Sequence, residues 1–373
     1  MCARELPQGL HTHPSVFAVE NEYQIMVSLK TAGELLVSVR VGEQEYFYEV
    51  NGVRCSETRI HRIRVPMEAL NAAKEYTVIT RKMVERKEYF TETEEPNEYT
   101  YAFYPLEKET DIRIYHLADT HNYVAPAIKA AQVAGERPDI LVFNGDIADG
   151  CGRYECLFKV HEIASGIAEG EIPCVYARGN HELRGKCAEQ LANHMPTQDG
   201  YSYYTFRLGC IWGVVIDSGE DKEDSSNEYG HVVACHQFRV RETEFLKKLS
   251  GYDDPSVKYR LVISHNPFVR KCEGPFNVDA DIFTEWAKIL KETVKPQLML
   301  SGHTHTCFVI RPGDPMDAKG TPCPVIVASM CKSLDGDVNG HVGATITLQP
   351  DRATVVCNDN LGTIGMQDTV LFE

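Results

Sequence analysis

Five short polar segments occur in order along this chain, and four of them directly follow a short apolar run. The segments are Asp119-Thr120-His121, Gly145-Asp146, Gly179-Asn180-His181-Glu182, Ser264-His265-Asn266 and Gly302-His303-Thr304-His305. Polar residues that follow apolar runs are typical of the carboxyl ends of buried strands, where layered α/β folds bind their ligands. The pattern therefore predicts that the five segments meet at one edge of a sheet.

The surrounding sequence alternates apolar runs with helical patterns. We predict strands at Ile112–Leu117, Ile140–Phe143, Cys174–Tyr176, Leu261–Ile263 and Leu298–Leu300. We predict helices at Val124–Ala134, Tyr154–Ala164, Arg241–Leu249 and Asp281–Glu292. Strands that alternate with helices indicate an α/β layered domain, which we assign to residues 111–373.

The N-terminal part of the chain has a different pattern. Between residues 16 and 106 apolar residues recur with period two, as in Leu35–Val41, and turn signals such as Asn51-Gly52 separate the runs. This pattern predicts an all-β sandwich domain of the fibronectin III type, with a supporting or docking role. Residues 1–15 are predicted to be a flexible tail, and Pro105–Thr110 a short linker.

Net charge, apolar runs and cysteine spacing indicate which classes of binding partner this chain can have and which cellular compartment suits it. The chain has 373 residues and a net charge of −16, which argues against binding to long nucleic acids or to anionic membranes. It has neither an N-terminal apolar segment of signal-peptide length nor an apolar run long enough for a membrane span. The thirteen cysteines contain no Cys-x-x-Cys pair, which favours a reduced, cytoplasmic protein.

The five segments offer carboxylate, imidazole and amide oxygen as metal ligands. This mixed oxygen and nitrogen set suits Fe, Mn or Zn, and no cysteine lies within the segments, which disfavours a structural zinc site. A carboxylate can bridge two cations, and Asp146 is the central candidate. Two such ions about 3.5–4 Å apart can hold a phosphoryl group and activate water, so the pattern points to hydrolysis.

In this order the segments resemble the signature of the calcineurin-like metallophosphoesterase superfamily, which reads D-x-H, G-D-x-x-D, G-N-H-D/E, a lone His and G-H-x-H. The resemblance covers about residues 111–310. It implies a four-layer core of two β-sheets flanked by helices, with a site for two divalent or trivalent metal ions. The N-terminal sandwich followed by this core resembles the arrangement of purple acid phosphatases.

The resemblance also implies a role for each motif residue. The implied ligands of the first metal ion are Asp119, His121, Asp146 and His305, and those of the second are Asp146, Asn180, His265 and His303, with Asp146 bridging. His181 matches the residue that protonates the leaving group, and Glu182 is expected to orient its ring. A metal-bound hydroxide would be the nucleophile.

The chain departs from two related subfamilies. His121 occupies the place of a glycine in purple acid phosphatases, and Asp149 that of their tyrosine ligand, so neither their colour nor a secreted acid phosphatase is expected. The stretch Arg178–Glu182 is similar to Ser/Thr protein phosphatases, but Gly145–Gly150 lacks their Asp-Arg-Gly ending. The similarity to protein phosphatases is therefore local.

Several neighbouring residues have two interpretations. Asp149 is expected to cap a helix or support the site rather than bind metal, and Asn122 and Arg178 are expected to be structural or solvated rather than to contact phosphate. Residues 217–236 form either a solvated loop or a lid that brings Tyr229, His231 or His236 to the substrate. The residues expected to be structural are His116, His161, His194, His341, Cys151 and Cys307.

The sequence thus predicts a metal-dependent phosphoesterase acting on a small phosphorylated substrate, either a phosphomonoester or a phosphodiester. Two other classes stay open: a non-catalytic scaffold on the same fold, and a metallohydrolase of a non-phosphate substrate. A scaffold would be expected to lose ligands, and none is missing here. The sequence does not indicate the oligomeric state.

Overall fold

The computed structural model describes residues 5–372 of the chain. The N-terminal strands within this range are β1 Ser15–Val19, β2 Glu22–Ser28, β3 Leu35–Val41, β4 Gln44–Phe47, β5 Glu49–Val50, β6 Val53–Arg54, β7 Ile60–Pro66, β8 Glu75–Glu85, β9 Glu92–Thr93 and β10 Asn97–Ala102. The later strands are β11 Ile112–Leu117, β12 Ile140–Asn144, β13 Pro173–Ala177, β14 Tyr204–Leu208, β15 Ile211–Ile216, β16 Tyr259–Ser264, β17 Leu298–Ser301, β18 Cys307–Ile310, β19 Val325–Ala328, β20 Val342–Gln349, β21 Arg352–Asp359 and β22 Ile364–Leu371. The α-helices are α1 Met67–Ala73, α2 Val124–Val133, α3 Lys159–Ala168, α4 Leu191–His194, α5 Cys235–Leu246 and α6 Ala280–Ile289, and a π-helical turn, Leu290–Val294, follows α6.

Two large sheets form the centre of the molecule. The first has nine strands in the order β22-β21-β20-β11-β12-β13-β1-β2-β7, and the second has six in the order β14-β15-β16-β17-β19-β18. In the first sheet β11, β12, β13 and β1 run parallel, and in the second β15, β16, β17 and β19 do. The carboxyl ends of these parallel strands therefore lie at one edge of each sheet.

Side-chain alternation along the strands creates the layers. On β12, Ile140 and Val142 belong to the core between the two sheets, whereas Leu141 and Phe143 pack outward with residues of α2 and α3. On the second sheet, outward residues such as Val262 pack with Trp286 of α6. This is the helix–sheet–sheet–helix arrangement that the resemblance of the five segments to metallophosphoesterases implies.

The N-terminal region is built mainly of strands, as predicted, and it is joined to the core by hydrogen bonds. Strands β1, β2 and β7 extend the nine-stranded sheet, and β1 pairs in parallel with β13. The remaining strands form a second sheet, β10-β8-β3-β4, in which β8 also pairs with β9, and the small hairpin β5–β6. The division into separate domains at residues 16–106 and 111–373 stays a prediction.

The predicted flexible tail is corrected for the residues that the structure describes. Leu10 is fully buried, the ring of His11 lies 3.0 Å from Glu162, and the His13 N–H donates to Ser165. The segment is ordered because it runs into β1 and packs against α3, contacts that a local sequence pattern does not reveal. Residues 1–4, also assigned to the tail, lie outside the described residues.

Candidate metal centre

The five polar segments meet where strands of the two large sheets end. Asp119 follows β11, Asp146 follows β12, and Asn180 follows β13. On the other sheet, His265 directly follows β16, and His303 and His305 follow β17. The two sheets therefore contribute to one site at their shared edge, as the sequence pattern predicts.

The backbone at these strand ends turns sharply. The φ angles are 51° at Asp119, 42° at His121, 52° at Asp146, 69° at His303 and 51° at His305. Residues with a side chain rarely adopt this left-handed region, and each such residue costs free energy that the surrounding structure must offset. Strained backbone of this kind concentrates at functional sites, and here it coincides with five of the seven predicted metal ligands.

The four residues implied for the first metal ion lie together. Asp119 Oδ1 lies 3.4 Å from His305 Nε2, and the Nε2 atoms of His121 and His305 are 3.1 Å apart. Potential ligand atoms of Asp119, His121 and Asp146 all lie within 4.8 Å of one another. Such a convergence of carboxylate oxygen and ring nitrogen atoms is what a cation requires.

The residues implied for the second ion form an adjacent group. His265 Nε2 lies 3.1 Å from Asp146 Oδ2, and His303 Nδ1 lies 3.0 Å from Asn180 Oδ1. His265 is buried, and its Nε2 faces the carboxylates of Asp146 and Asp119, at 3.1 and 3.9 Å, without a well-directed hydrogen bond within the described residues, so it is placed to serve as a ligand. Asp146 belongs to both groups, so its position suits a bridging carboxylate.

The electrostatics of the group fit a bound cation. Burial lowers the pKa of His265, but Asp146 and Asp119 outweigh this effect and raise it to about 10. A hydrogen bond with Asp119 and another with Cys331 raise the pKa of His305 to about 10, whereas burial lowers the pKa of His303 to about 4. Buried carboxylates thus favour a positive charge beside two of these rings, and a metal ion can supply it in place of a proton.

His181 lies beside the implied metal ligands, at the start of a short 3₁₀ turn. Its ring is 4.6 Å from that of His121, and its Nε2 lies 3.9 Å from Asp146 Oδ2. Its Nδ1 faces Asp149, at 3.5 Å from the carboxylate and 3.4 Å from the backbone oxygen. The side chain is partly exposed, so a substrate can reach it.

The expected contact between Glu182 and the His181 ring is corrected by the structure. The Glu182 carboxylate is buried and accepts backbone N–H groups of Gly179, Asp146, Ile147 and Ala148, at 2.7 to 3.1 Å. Both of its oxygens are thereby engaged with the loops that carry Asp146 and Asn180. Glu182 fixes these loops together, and the acidic neighbour of His181 is Asp149.

Asp149 supports two rings at once. Its Oδ1 lies 2.9 Å from Nδ1 of His121 as well as 3.5 Å from Nδ1 of His181. A carboxylate that holds the far nitrogen of a ligating histidine fixes the ring orientation. This contact agrees with the supporting role expected for Asp149 rather than with a helix cap.

The site also includes three charged residues that the sequence did not predict, namely Arg184, Glu220 and Asp221. Glu220 accepts a hydrogen bond from Asn180 Nδ2 at 3.3 Å and pairs with Arg184, and Asp221 Oδ2 lies 3.6 Å from His303 Nε2. Glu220 and Asp221 belong to segment 217–236, which the sequence singled out, but the residues expected to contact substrate were others. The only available signal was the acidic character of that segment.

The remaining predicted residues are spread around the site. Tyr229 donates to Asp221, whereas His231 is exposed and His236 pairs with Asp279 at 2.8 Å. Arg178 lies 2.6 Å from Asp217 in a largely buried ion pair, which fits the structural role expected of it. Asn122 is exposed, and its backbone N–H donates to Ile147.

The histidines expected to be structural are buried. His116 contacts the Ala328 oxygen and Asn144, and His161 contacts Ser15 and the His194 oxygen. His194 in turn contacts Tyr154, and His341 is fully buried. Of the two cysteines expected to pack, Cys151 is buried and Cys307 half-buried, and all cysteines between residues 5 and 372 are free thiols.

Comparison with known proteins assigns this arrangement. The sequence profile of calcineurin-like phosphoesterases matches residues 112–307, more than half of the chain and the part that carries all five segments. This chain belongs to the calcineurin-like phosphoesterase family. It is accordingly a metal-dependent phosphoric ester hydrolase. No curated protein sequence matches the chain significantly.

Two solved structures share the fold. A purple acid phosphatase isolated from yellow lupin (Lupinus luteus) seeds aligns with a TM-score of 0.60 at 12% identity, over 96% of this chain and 74% of its own. PhoD aligns with a TM-score of 0.54 at 12% identity, over 95% of this chain and 87% of its own. These likenesses confirm the architecture.

No helix between residues 5 and 372 combines the length and the apolar character that a membrane span requires.

Proposed function

We propose that this chain hydrolyses the ester bond of a small phosphorylated molecule at a centre for two metal ions. The observation that carries the proposal is the complete set of ligand residues, gathered in two adjacent groups that share Asp146. Asp119, His121, Asp146 and His305 would hold one ion, and Asp146, Asn180, His265 and His303 the other. When bound, such ions supply the positive charge that holds a phosphoryl group and the means to activate water.

His181 is the proposed proton donor to the leaving group. Its ring lies beside both ligand groups without being needed by either, and its partly exposed Nε2 can face a substrate. The Nδ1 atom faces Asp149, which would keep the ring in one orientation and leave Nε2 to carry the transferred proton. A positioned acid of this kind contributes about 100- to 10,000-fold to a rate.

The proposed metals are Fe, Mn or Zn, and the proposed substrates are small phosphomonoesters or phosphodiesters in the cytoplasm. The mixed oxygen and nitrogen ligands support this choice of metals. The net charge of −16 disfavours long nucleic acids as substrates. Thiols that are all free within residues 5–372 support a reducing compartment.

The test combines metal analysis with hydrolysis of two phosphomonoesters, one with a good leaving group (4-nitrophenyl phosphate) and one with a poor leaving group (an alkyl phosphate). Asp146→Asn should bind clearly fewer than about two ions per chain and lose activity on both. His181→Ala should keep its metal content and lose about 100-fold or more on the alkyl ester, but less on the aryl ester, because 4-nitrophenolate leaves without a proton.

His11→Ala is the matched control, because His11 is a partly exposed histidine that contacts Glu162 of α3, outside the ligand groups. It should behave as the unaltered chain. If Asp146→Asn and His181→Ala both retain full activity, the proposed mechanism is wrong. Hydrolysis of non-phosphate esters without inhibition by phosphate would instead indicate a different metallohydrolase.

A further inference from the structure

Arg184 is a cationic side chain beside the proposed proton donor that none of the sequence motifs includes. It follows the 3₁₀ turn His181–Leu183, and its backbone N–H donates to the His181 oxygen at 3.1 Å. Its Nη1 lies 3.3 Å from Nε2 of His181. The side chain is 29% exposed, so it is accessible from solvent.

A buried carboxylate fixes the direction of this guanidinium. Glu220 is fully buried and accepts hydrogen bonds from Nε of Arg184 at 2.8 Å and from Nη2 at 2.9 Å. The same carboxylate accepts a hydrogen bond from Asn180 Nδ2 at 3.3 Å. A bidentate (two-pronged) ion pair of this kind holds the guanidinium plane rigidly, because both the guanidinium and the carboxylate are planar.

Within residues 5–372, the pair with Glu220 leaves Nη1 without a carboxylate partner. Nη1 carries two N–H groups, and only one of them can be directed at Nε2 of His181, 3.3 Å away. The other N–H group is left for an acceptor, and a negatively charged acceptor is favoured because the guanidinium is positively charged. An oxygen of a phosphoryl group is such an acceptor, and it would lie next to the metal ligands.

A second cation in the same region does not share this arrangement. Lys222 pairs with Glu228 and lies 3.8 Å from Asp221, and its ammonium packs over the Phe276 ring at 5.1 Å. Its charge is thus directed to acidic groups of its own loop. Arg184 also approaches Glu228, at 3.6 Å from Nη2, but this contact does not involve Nη1.

We propose that Arg184 binds a non-bridging oxygen of the substrate phosphoryl group, that Glu220 positions it, and that the contact selects phosphomonoesters over phosphodiesters. This inference rests on the proposed function. A phosphomonoester presents two negative charges and three non-bridging oxygens. A phosphodiester has one charge, and its second ester group replaces one of these oxygens, so the guanidinium gains less from it.

The experiment compares Arg184→Gln with Lys222→Met, which removes one positive charge from the same region. The probes are 4-nitrophenyl phosphate and bis(4-nitrophenyl) phosphate, and the metal content of each protein is measured. Arg184→Gln should lower kcat/KM for the monoester by about 10- to 100-fold, and for the diester by much less, with unchanged metal content. Lys222→Met should change both values by similar small factors.

Binding of inorganic phosphate to the metal-loaded protein gives a readout that does not depend on turnover. Calorimetry should show phosphate affinity weakened in Arg184→Gln by a similar factor. Arg184→Lys keeps the charge but not the two-pronged pair, and it should fall between Arg184→Gln and the unaltered chain. If Arg184→Gln folds poorly, Arg184→Lys is the variant that tests the contact.

Glu220→Gln tests the positioning role. It should raise KM for the monoester and weaken phosphate binding, because the guanidinium is then less firmly held. Glu220→Asp keeps the carboxylate, so its KM for the monoester and its phosphate affinity should lie between those of Glu220→Gln and of the unaltered chain. If Glu220 were merely structural, stability would fall in Glu220→Gln while KM and phosphate affinity in the folded protein stayed unchanged.

The outcomes separate this inference from the function on which it rests. An unaltered chain that is active and depends on Asp146, with equal losses on both esters in Arg184→Gln, would overturn the selection role alone. Unchanged phosphate affinity in Arg184→Gln would overturn the contact itself. An unaltered, metal-loaded chain that hydrolyses neither ester would overturn the proposed function and the role of Arg184 with it.

Discussion

At the scale of single residues, carboxylates connect the polar segments to one another. Asp119 accepts the backbone N–H of His303 at 2.9 Å, and Asp146 accepts that of His181 at 2.8 Å. Glu182 accepts four N–H groups from two loops. Each carboxylate therefore fixes a segment distant from its own, and these hydrogen bonds hold the polar segments of the candidate site together.

Glu182→Gln tests whether this residue fixes the loops. Burial and the nearby Asp146 raise the pKa of Glu182, and the N–H donors oppose that shift by favouring the charged carboxylate. The amide of glutamine replaces one carboxylate oxygen by an NH₂ group. This NH₂ group is a donor and would face backbone N–H donors, so those hydrogen bonds would be lost. We expect a loss of about 2–3 kcal/mol in the free energy of unfolding, measured by chemical denaturation, together with reduced metal content.

Glu189→Gln is the control for that prediction, because Glu189 is an exposed glutamate a few residues further along. It should leave stability and metal content unchanged. If Glu182→Gln instead kept full stability and altered only the pH dependence of activity, Glu182 would act through His181, as the sequence comparison implied.

At the scale of elements, the site depends on how closely two strand ends approach. Gly179 follows β13, and a Cβ atom built there would lie 2.2 Å from Oδ1 and 2.3 Å from the backbone nitrogen of Asp146, which follows β12. No side chain fits at that distance, so only glycine can occupy position 179 without a steric clash. The close approach brings Asn180 beside Asp146.

Gly179→Ala should therefore separate the two strand ends. We expect the free energy of unfolding to fall by about 1–3 kcal/mol, because overpacking forces the backbone to shift, and we expect metal content to fall with it. Gly152→Ala is the matched control, since a Cβ atom at Gly152 meets no heavy atom of residues 5–372 within 4 Å. Equal metal content in the two variants would show that the close approach is not needed for the site.

Element boundaries show which parts of the structure a sequence can predict. Strand β11 was predicted at its observed bounds, and β12, β13, β16 and β17 within one or two residues at each end, because buried strands are short apolar runs. Helix α5 begins at Cys235, six residues before the prediction. The backbone N–H groups of Cys235 and His236 donate to Asp224, which lies outside the helix and far from the usual capping position.

In the same way, the sequence could predict only those site residues that directly follow a strand. All seven predicted ligands and His181 come together because each lies at a strand end. Arg184, Glu220 and Asp221 lie in loops whose course depends on tertiary contacts, such as the pair between Arg184 and Glu220. A local pattern carries no information about such contacts, so these residues emerged only from the structure.

At the scale of the whole molecule, the N-terminal region is part of the architecture that supports the site. Strand β1 lies between β13 and β2 in the nine-stranded sheet, and all five of its residues are buried. Phe17 of β1 packs against Phe143 of β12, at 6.2 Å between ring centroids. Further along, Arg62 of β7 donates to the backbone oxygens of Ala192 and Met195.

Removal of this region tests whether residues 111–373 fold by themselves. A fragment of residues 107–373 would expose the hydrogen-bonding edge of β13, which carries Asn180 and His181 at its end, and the apolar surface that β1 covers. Because exposed, apolar edge strands pair with other chains, we expect the fragment to aggregate on expression. Co-expression with residues 1–106 should restore soluble, metal-binding protein, measured by size-exclusion chromatography and metal analysis. A soluble, metal-binding fragment 107–373 would instead support two separable domains, and β1 would then stabilise a sheet that can form without it.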